Sequence, residues 1–206
     1  MKSLVLCSGG IKSTFLTIEA TKDSDVTLLF IDYGQPARAQ ERAAVYAIAE
    51  RIKRPVVVTK AQGFPSLHEP LLRFLCFFCH AAITARQLDC PKIYHGLSRD
   101  DIANINDPKL AEEFVTGLQR LLDMSLPNYD HAGLWLGDLE VDTPLRRLRM
   151  EHILRLGNEW RISWAQTWSC LCGLTHHCGE CTRCLRRKRA FKREANKEDP
   201  TYYLAT

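Results

Sequence analysis

The chain has 206 residues, 46% of them hydrophobic and 25% charged, with 28 Lys and Arg against 24 Asp and Glu for a net charge of +4. These are the proportions of one globular domain with a full core, and they exclude a disordered or fibrous chain. Lys2 precedes an apolar stretch of only four residues and no run nears the roughly 18 needed to span a bilayer, so neither secretion nor membrane insertion is expected and the cytoplasm is the expected location.

The elements alternate along the chain. KSLVLC (2–7) reads as a buried strand and 12–21 as the helix after it. DVTLLFI (25–31) is a second strand, followed by a helix over 37–52 whose alanines and isoleucines recur at helical spacing. RPVVVT gives a third strand. Residues 70–88 are too long for a strand and apolar on nearly every face, which predicts a central buried helix. KIYHGL is a fourth strand, and 107–124 a helix with an Asp-Pro start and an apolar stripe of Leu110, Phe114, Leu118, Leu121 and Leu122. LWLGDLEV (134–141) is a fifth strand candidate, and 143–157 a helix stopped by Gly157. This alternation predicts an α/β fold, a Rossmann-like parallel sheet with helices on both faces, over residues 1–160. Residues 161–206 form a small C-terminal segment packed on it. In such sheets the ligand lies beyond the carboxyl ends of the strands, where SGGIKS and DYGQ fall.

Gly9 and Gly10 let the backbone turn sharply and bring N–H groups close to an anion, and the helix that follows adds its positive end. Ser8, Ser13 and Thr14 offer hydroxyls. The familiar phosphate loop GxxxxGK[ST] does not fit, and a structural turn is the competing reading.

Nine cysteines in such a chain need a reason other than disulfides. Cys7, Cys76, Cys79 and Cys90 lie in apolar surroundings and are expected to be small buried hydrophobes. Cys178, Cys181 and Cys184 follow at three-residue steps with Gly179 in the turn, and Cys170 supplies a fourth thiolate. Four thiolates suit a closed, structural Zn²⁺ site. An iron–sulfur cluster and plain buried thiols are the alternatives, and Cys172, His176 and His177 compete as ligands. CFFCH (76–80) matches a haem-attachment pattern in letters only, and His80 reads as a core histidine. The basic stretch RCLRRKRAFKRE is first a solvated helix face, with attraction of phosphate as the alternative; without a stacking surface it does not predict nucleic-acid binding.

SGGIKST and IDYGQ together resemble the SGGxDS loop and FDYGQ stretch of pyrophosphatase-loop ATP enzymes, which share the adenine nucleotide alpha-hydrolase fold. The tail TWSCLCGLTHHCGECTRCLRRKRAF (167–191) resembles the ending of 7-cyano-7-deazaguanine synthases, the QueC-like family. PLLRF, YHGLSRDD and TPLRRLRMEHILRLG follow that family's layout more thinly. The resemblance implies ATP-dependent adenylation of 7-carboxy-7-deazaguanine followed by attack of an amine, which makes the protein a carbon–nitrogen ligase. It further implies ATP with Mg²⁺, a structural zinc on Cys170, Cys178, Cys181 and Cys184, and a homodimer. Pyrophosphate would lie on Ser8, Gly9, Gly10, Ser13 and Thr14, and adenine near Asp32, Tyr33, Gly34 and Gln35. Lys12, Ser13 and Arg73 become candidate catalytic residues, and Asp101 and Asp107 candidate substrate contacts, with plain ion pairs as the alternative for Arg73 and both aspartates.

The departures are specific. Lys12 stands where the loop carries aspartate, Phe74 where an asparagine follows the arginine, Pro108 where a cysteine follows the aspartate, and Met150 where a lysine stands. Three readings stay open: the synthase itself, a diverged antiphage-defence paralogue that joins the deazaguanine to a protein amine, and a nucleotide binder impaired by Lys12. For Lys12 the bland alternative is a solvent-facing first-turn lysine.

Overall fold

In β1 (Lys2–Leu6) successive side chains leave on opposite faces: Val5 joins one apolar cluster, Leu4 and Leu6 another. β2 (Asp25–Asp32) repeats the pattern, with Val26, Leu28 and Phe30 on the first face and Leu29 and Ile31 on the second. A strand buried on both faces needs helices on both, and α1 (Ile11–Ala20), α2 (Arg38–Ile52) and α6 (Met150–Glu159) cover the first. α3 (Pro70–Gln87) and α5 (Pro108–Ser125) cover the second. β3 (Val56–Lys60), β4 (Lys92–Tyr94) and β5 (Glu140–Asp142) complete a five-stranded sheet of order β3-β2-β1-β4-β5, parallel throughout. The fold is thus the α/β parallel sheet expected. α4 (Arg99–Ala103) follows β4, and α7 (Thr182–Arg193) adds Ala190 and Phe191 to the first core. This computed structural model describes residues 1–61, 70–103, 108–125, 137–194 and 198–204. No helix among them is long and apolar enough to cross a membrane.

Several elements differ from their expected form. β4 ends at Tyr94, and the fifth strand is confined to Glu140–Asp142, with 134–136 outside the described residues. The helix expected over 143–157 is broken: a 3₁₀ turn at Pro144–Arg147 gives way to extended backbone at Leu148 and Arg149 before α6 begins. Gly157 does not stop that helix. A Cβ there would lie 2.2 Å from Cζ2 of Trp164, so the glycine lets the indole pack against the helix. α3 is not buried all round: Phe78, Ala81, Ala82 and Ala85 face the sheet, while Cys79 is exposed and Ile83 is 58% exposed. Of the four scattered cysteines, Cys7 and Cys90 are buried and Cys76 half-buried, so Cys79 alone breaks the expectation.

Candidate active site

The first strand end makes a cradle. Gly9 sits at φ +72°, and a Cβ on it would approach Ala44 Cβ and the Glu41 carbonyl oxygen at 2.7 Å, so only glycine fits. Gly10 precedes α1 without a side-chain cap, and no acidic residue lies in the first turn. The positive helix end is therefore left for an outside anion. Ser13 locks the loop: its Oγ accepts from the Ser8 N–H at 3.2 Å and donates to the Gly10 carbonyl at 3.2 Å. Thr14 is buried, and its hydroxyl has no partner among the described residues.

The second strand end is braced from within. The Gly34 N–H donates to Asp32 Oδ1 (3.0 Å), and Gly34 itself has φ +80°. Gln35 accepts from the Tyr33 N–H (2.9 Å) and donates to the Ile31 carbonyl (3.3 Å) and to Glu41 Oε2 (2.9 Å). Burial pushes the Glu41 carboxyl up, against the Gln35 hydrogen bond and the Arg183 charge. Burial also raises the Tyr33 phenol, with Glu41 adding to it and Arg183 and Arg73 opposing.

Between the two strand ends lies a cavity of about 430 Å³. Ser8, Gly10, Ser13, Tyr33 and Gln35 line it, and so do Lys12, Arg73 and Asp101. Gly9, Thr14, Asp32 and Gly34 shape the loops without lining it. Asp107 lies outside the described residues.

Lys12 does not face solvent. Its ammonium pairs with the Asp101 carboxylate and lies 3.4 Å from Ser98 Oγ. Ser98 precedes α4 and Asp101 lies in its first turn, the Ser98 N–H and hydroxyl donating to Asp101 Oδ2 at 3.0 and 2.9 Å. Burial pushes the Asp101 carboxyl up, but Lys12 and the Ser98 hydrogen bonds outweigh it and hold it down at about 2. Asp101 is thus the counterion of Lys12.

His95 escaped the sequence reading, although a histidine before a glycine at a strand end was the available signal. Its ring lies among Phe74 and Phe78, at 5.1 and 5.0 Å between centroids, and lines the cavity. It is 9% exposed, and its Nδ1 finds no partner among the described residues. Burial lowers it to about 4, with Asp101 opposing and Lys12 adding, so the imidazole is neutral near pH 7.

The tail closes the far wall. The thiol sulfurs of Cys170, Cys178, Cys181 and Cys184 all lie within 4.8 Å of one another. Backbone N–H groups point at them: Cys172 and Cys178 to Cys170 Sγ, each at 3.4 Å, and Cys181 to Cys178 Sγ at 3.3 Å. Hydrogen bonds from the Cys181 and Glu180 backbone lower the Cys178 thiol to about 6, which favours the thiolate. Burial pushes the Cys184 thiol up, so the four are not alike, but four sulfurs converging at this distance can hold a metal ion. Of the competitors, His177 Nε2 accepts from the Ser169 N–H (3.0 Å) and His176 Nδ1 bonds Thr175, while the exposed Cys172 thiol lies 3.7 Å from Cys178 Sγ but is not one of the four mutually close sulfurs.

Three hydrogen bonds and one close packing contact fasten this segment to the first loop, to α2 and to the turn before it. The Trp168 N–H donates to the Gly9 carbonyl at 2.8 Å. Gln40 Nε2 donates to the Gly173 and Leu174 carbonyls at 3.0 and 2.9 Å. Gly173 lies so close to Pro36 that a Cβ would sit 2.2 Å from its carbonyl oxygen. Inside the segment, buried Arg187 donates to Asp199, Thr167, Ser169 and the Trp164 carbonyl.

Residues 55–195 match the model of the family described as queuosine biosynthesis protein QueC. A 7-cyano-7-deazaguanine synthase 1 of Sulfurisphaera tokodaii is 28% identical, covering 99% of this chain and 98% of its own. A 7-cyano-7-deazaguanine synthase of Koribacter versatilis is 30% identical, covering 98% and 93%. Among solved structures, the U34-tRNA thiolase NcsA from Methanococcus maripaludis with its 4Fe–4S cluster has a TM-score of 0.53 and 14% identity, over 94% of this chain and 67% of that one, which is a likeness of fold. From β3 to the end of α7 the sequence fits one family model, and the chain belongs to the QueC family.

Proposed function

We propose that the protein spends ATP to activate the carboxylate of a 7-carboxy-7-deazaguanine-type acid and passes the acyl group to an amine. A carboxylate oxygen attacks the α-phosphorus and pyrophosphate leaves; the amine nitrogen then attacks the acyl carbon and AMP leaves, carrying its bonding electrons. The observation that supports this most is the uncapped start of α1, opening with Ser8, Gly10 and Ser13 into a cavity shared with the second strand end. Names among the relatives point to the same chemistry.

In this reading the α1 end with Ser8 and Ser13 binds the pyrophosphate, Thr14 backs that loop, and Gly9 keeps its turn. Tyr33 and Gln35 face the adenine, while Asp32 and Gly34 set the turn that holds them. Arg73 reaches Tyr33 and orients the acid, and Asp101 orients Lys12 toward the phosphates. Asp107 remains a substrate contact of the proposal. Mg²⁺ would supply charge neutralisation between phosphates. The four thiolates would hold Zn²⁺ in a closed shell, tying residues 161–206 to the sheet domain.

The test is to incubate the protein with ATP, 7-carboxy-7-deazaguanine and ammonium, and to follow AMP, pyrophosphate and product by mass spectrometry. Matched release of AMP and pyrophosphate with an amide or nitrile product is expected. ATP left intact in the presence of the acid refutes the reading, and a mass gain on a co-purified protein in place of ammonium would assign a protein amine as acceptor.

A further inference from the structure

We propose that Arg183 and Arg186 form the second half of the phosphate grip, so that the cysteine-bearing tail supplies binding groups and is more than a brace. This rests on the nucleotide reading above and adds to it the residues that face the loop from across the cavity.

The two arginines stand three positions apart on the first turns of α7, hence on one face, and both line the cavity with Lys12. The helix cannot rotate them away. Cys184, Arg187, Ala190 and Phe191 of the same helix are buried, and Cys181, one of the four converging thiols, is its N-cap. Phosphate-loop contacts fix the approach as well, because Trp168 is bonded to Gly9.

Among the described residues neither guanidinium is saturated. Arg183 reaches Glu41 at 3.7 Å and Arg186 reaches Asp101 at 3.5 Å, with side chains 44% and 40% exposed. Both distances are ion-pair contacts longer than a good hydrogen bond, so most of the N–H donors of each fork stay open to a ligand. Asp101 is shared, since the same carboxylate also serves Lys12. An entering phosphate would give both cations a partner of their own.

The charge balance names the ligand class. Among the described residues Lys12, Arg73, Arg183, Arg186 and Arg187 line the cavity with two carboxylates, Asp101 and Glu41; Arg187 is committed to Asp199, and burial pushes the Glu41 carboxyl up. A surplus of cations held in a concave site attracts a polyanion. Planar guanidinium forks opposite a helix end match the oxygens of a diphosphate unit. The structure therefore assigns the pyrophosphate end of a nucleoside triphosphate to the space between α1 and α7.

The experiment measures binding of ATP, inorganic pyrophosphate and AMP by calorimetry to the full metal-loaded chain, and to Arg183→Gln, Arg186→Gln and the double variant. Each substitution should weaken ATP and pyrophosphate about tenfold, the double variant about a hundredfold, with AMP unchanged. Melting temperature and metal content should stay at wild-type values. Arg183→Lys and Arg186→Lys keep the charge and lose the fork, so intermediate losses are expected and guard against a folding defect in the glutamine variants. Wild-type binding of ATP together with equal binding by the double variant overturns this inference alone. Equal losses for AMP and ATP also overturn it. Wild-type protein that binds no ATP brings down the nucleotide reading itself, and the inference with it.

Discussion

Replacing Arg187 by methionine tests whether the tail is held by one buried cation. The side chain is 1% exposed, and its Nε lies 3.1 Å from each oxygen of Asp199, itself 9% exposed at the side chain. One Nη donates to Thr167 Oγ1 (2.7 Å) and Ser169 Oγ (3.2 Å), the other to the Trp164 carbonyl (2.8 Å). Methionine fills similar space but, among the described residues, leaves the Asp199 carboxylate with the Thr201 N–H and the Tyr203 hydroxyl. Removing one partner of a buried pair costs about 3–5 kcal/mol. In a chain of this size each kcal/mol moves the melting point about 2–4 °C, so a drop of roughly 6–20 °C is expected. Scanning calorimetry on metal-loaded protein reads it directly. Adding Asp199→Asn should recover part of the loss, because the amide leaves no buried charge unpaired. A drop under about 2 °C, or a double variant no better than the single one, would refute the reasoning.

Gly9→Ala should abolish ATP binding, since its Cβ would press on Ala44 and the Glu41 carbonyl at 2.7 Å in a left-handed turn; calorimetry with unchanged affinity would contradict it. Lys12→Asp places a second carboxylate beside Asp101 and should lower the melting temperature and change the rate of pyrophosphate release, whereas an unmoved melt would deny the pairing. For His95, a folded value of about 4 lies below the ordinary 6.5, so the unfolded chain takes the proton first. Stability should be complete above about 6.5 and fall, by roughly 3 kcal/mol at most, as pH drops toward 4; denaturant titration of His95→Phe should show a shallower fall than wild type. Chelation of the cysteine site should release about one zinc per chain, measured by elemental analysis, and lower the melting point; iron in its place, or no change on chelation, would overturn the zinc assignment.

The alternation of apolar runs and turn residues determined the layered class by itself, because strands buried on both faces need continuous hydrophobic sequence whatever lies next to them. The same holds for the Gly9 turn and for the cysteine spacing, where a few consecutive residues carry the geometry. Gly157 shows the limit of local reading: a glycine at a helix end looks like a stop, yet here it receives the ring of Trp164. Strand order, the Lys12–Asp101 pair across 89 positions, the packing of His95 between Phe74 and Phe78 and the docking of Trp168 on Gly9 were decided only in the tertiary structure. Those features depend on which layers pack together, and the period of a sequence records which face a side chain leaves on, not which distant residue it meets.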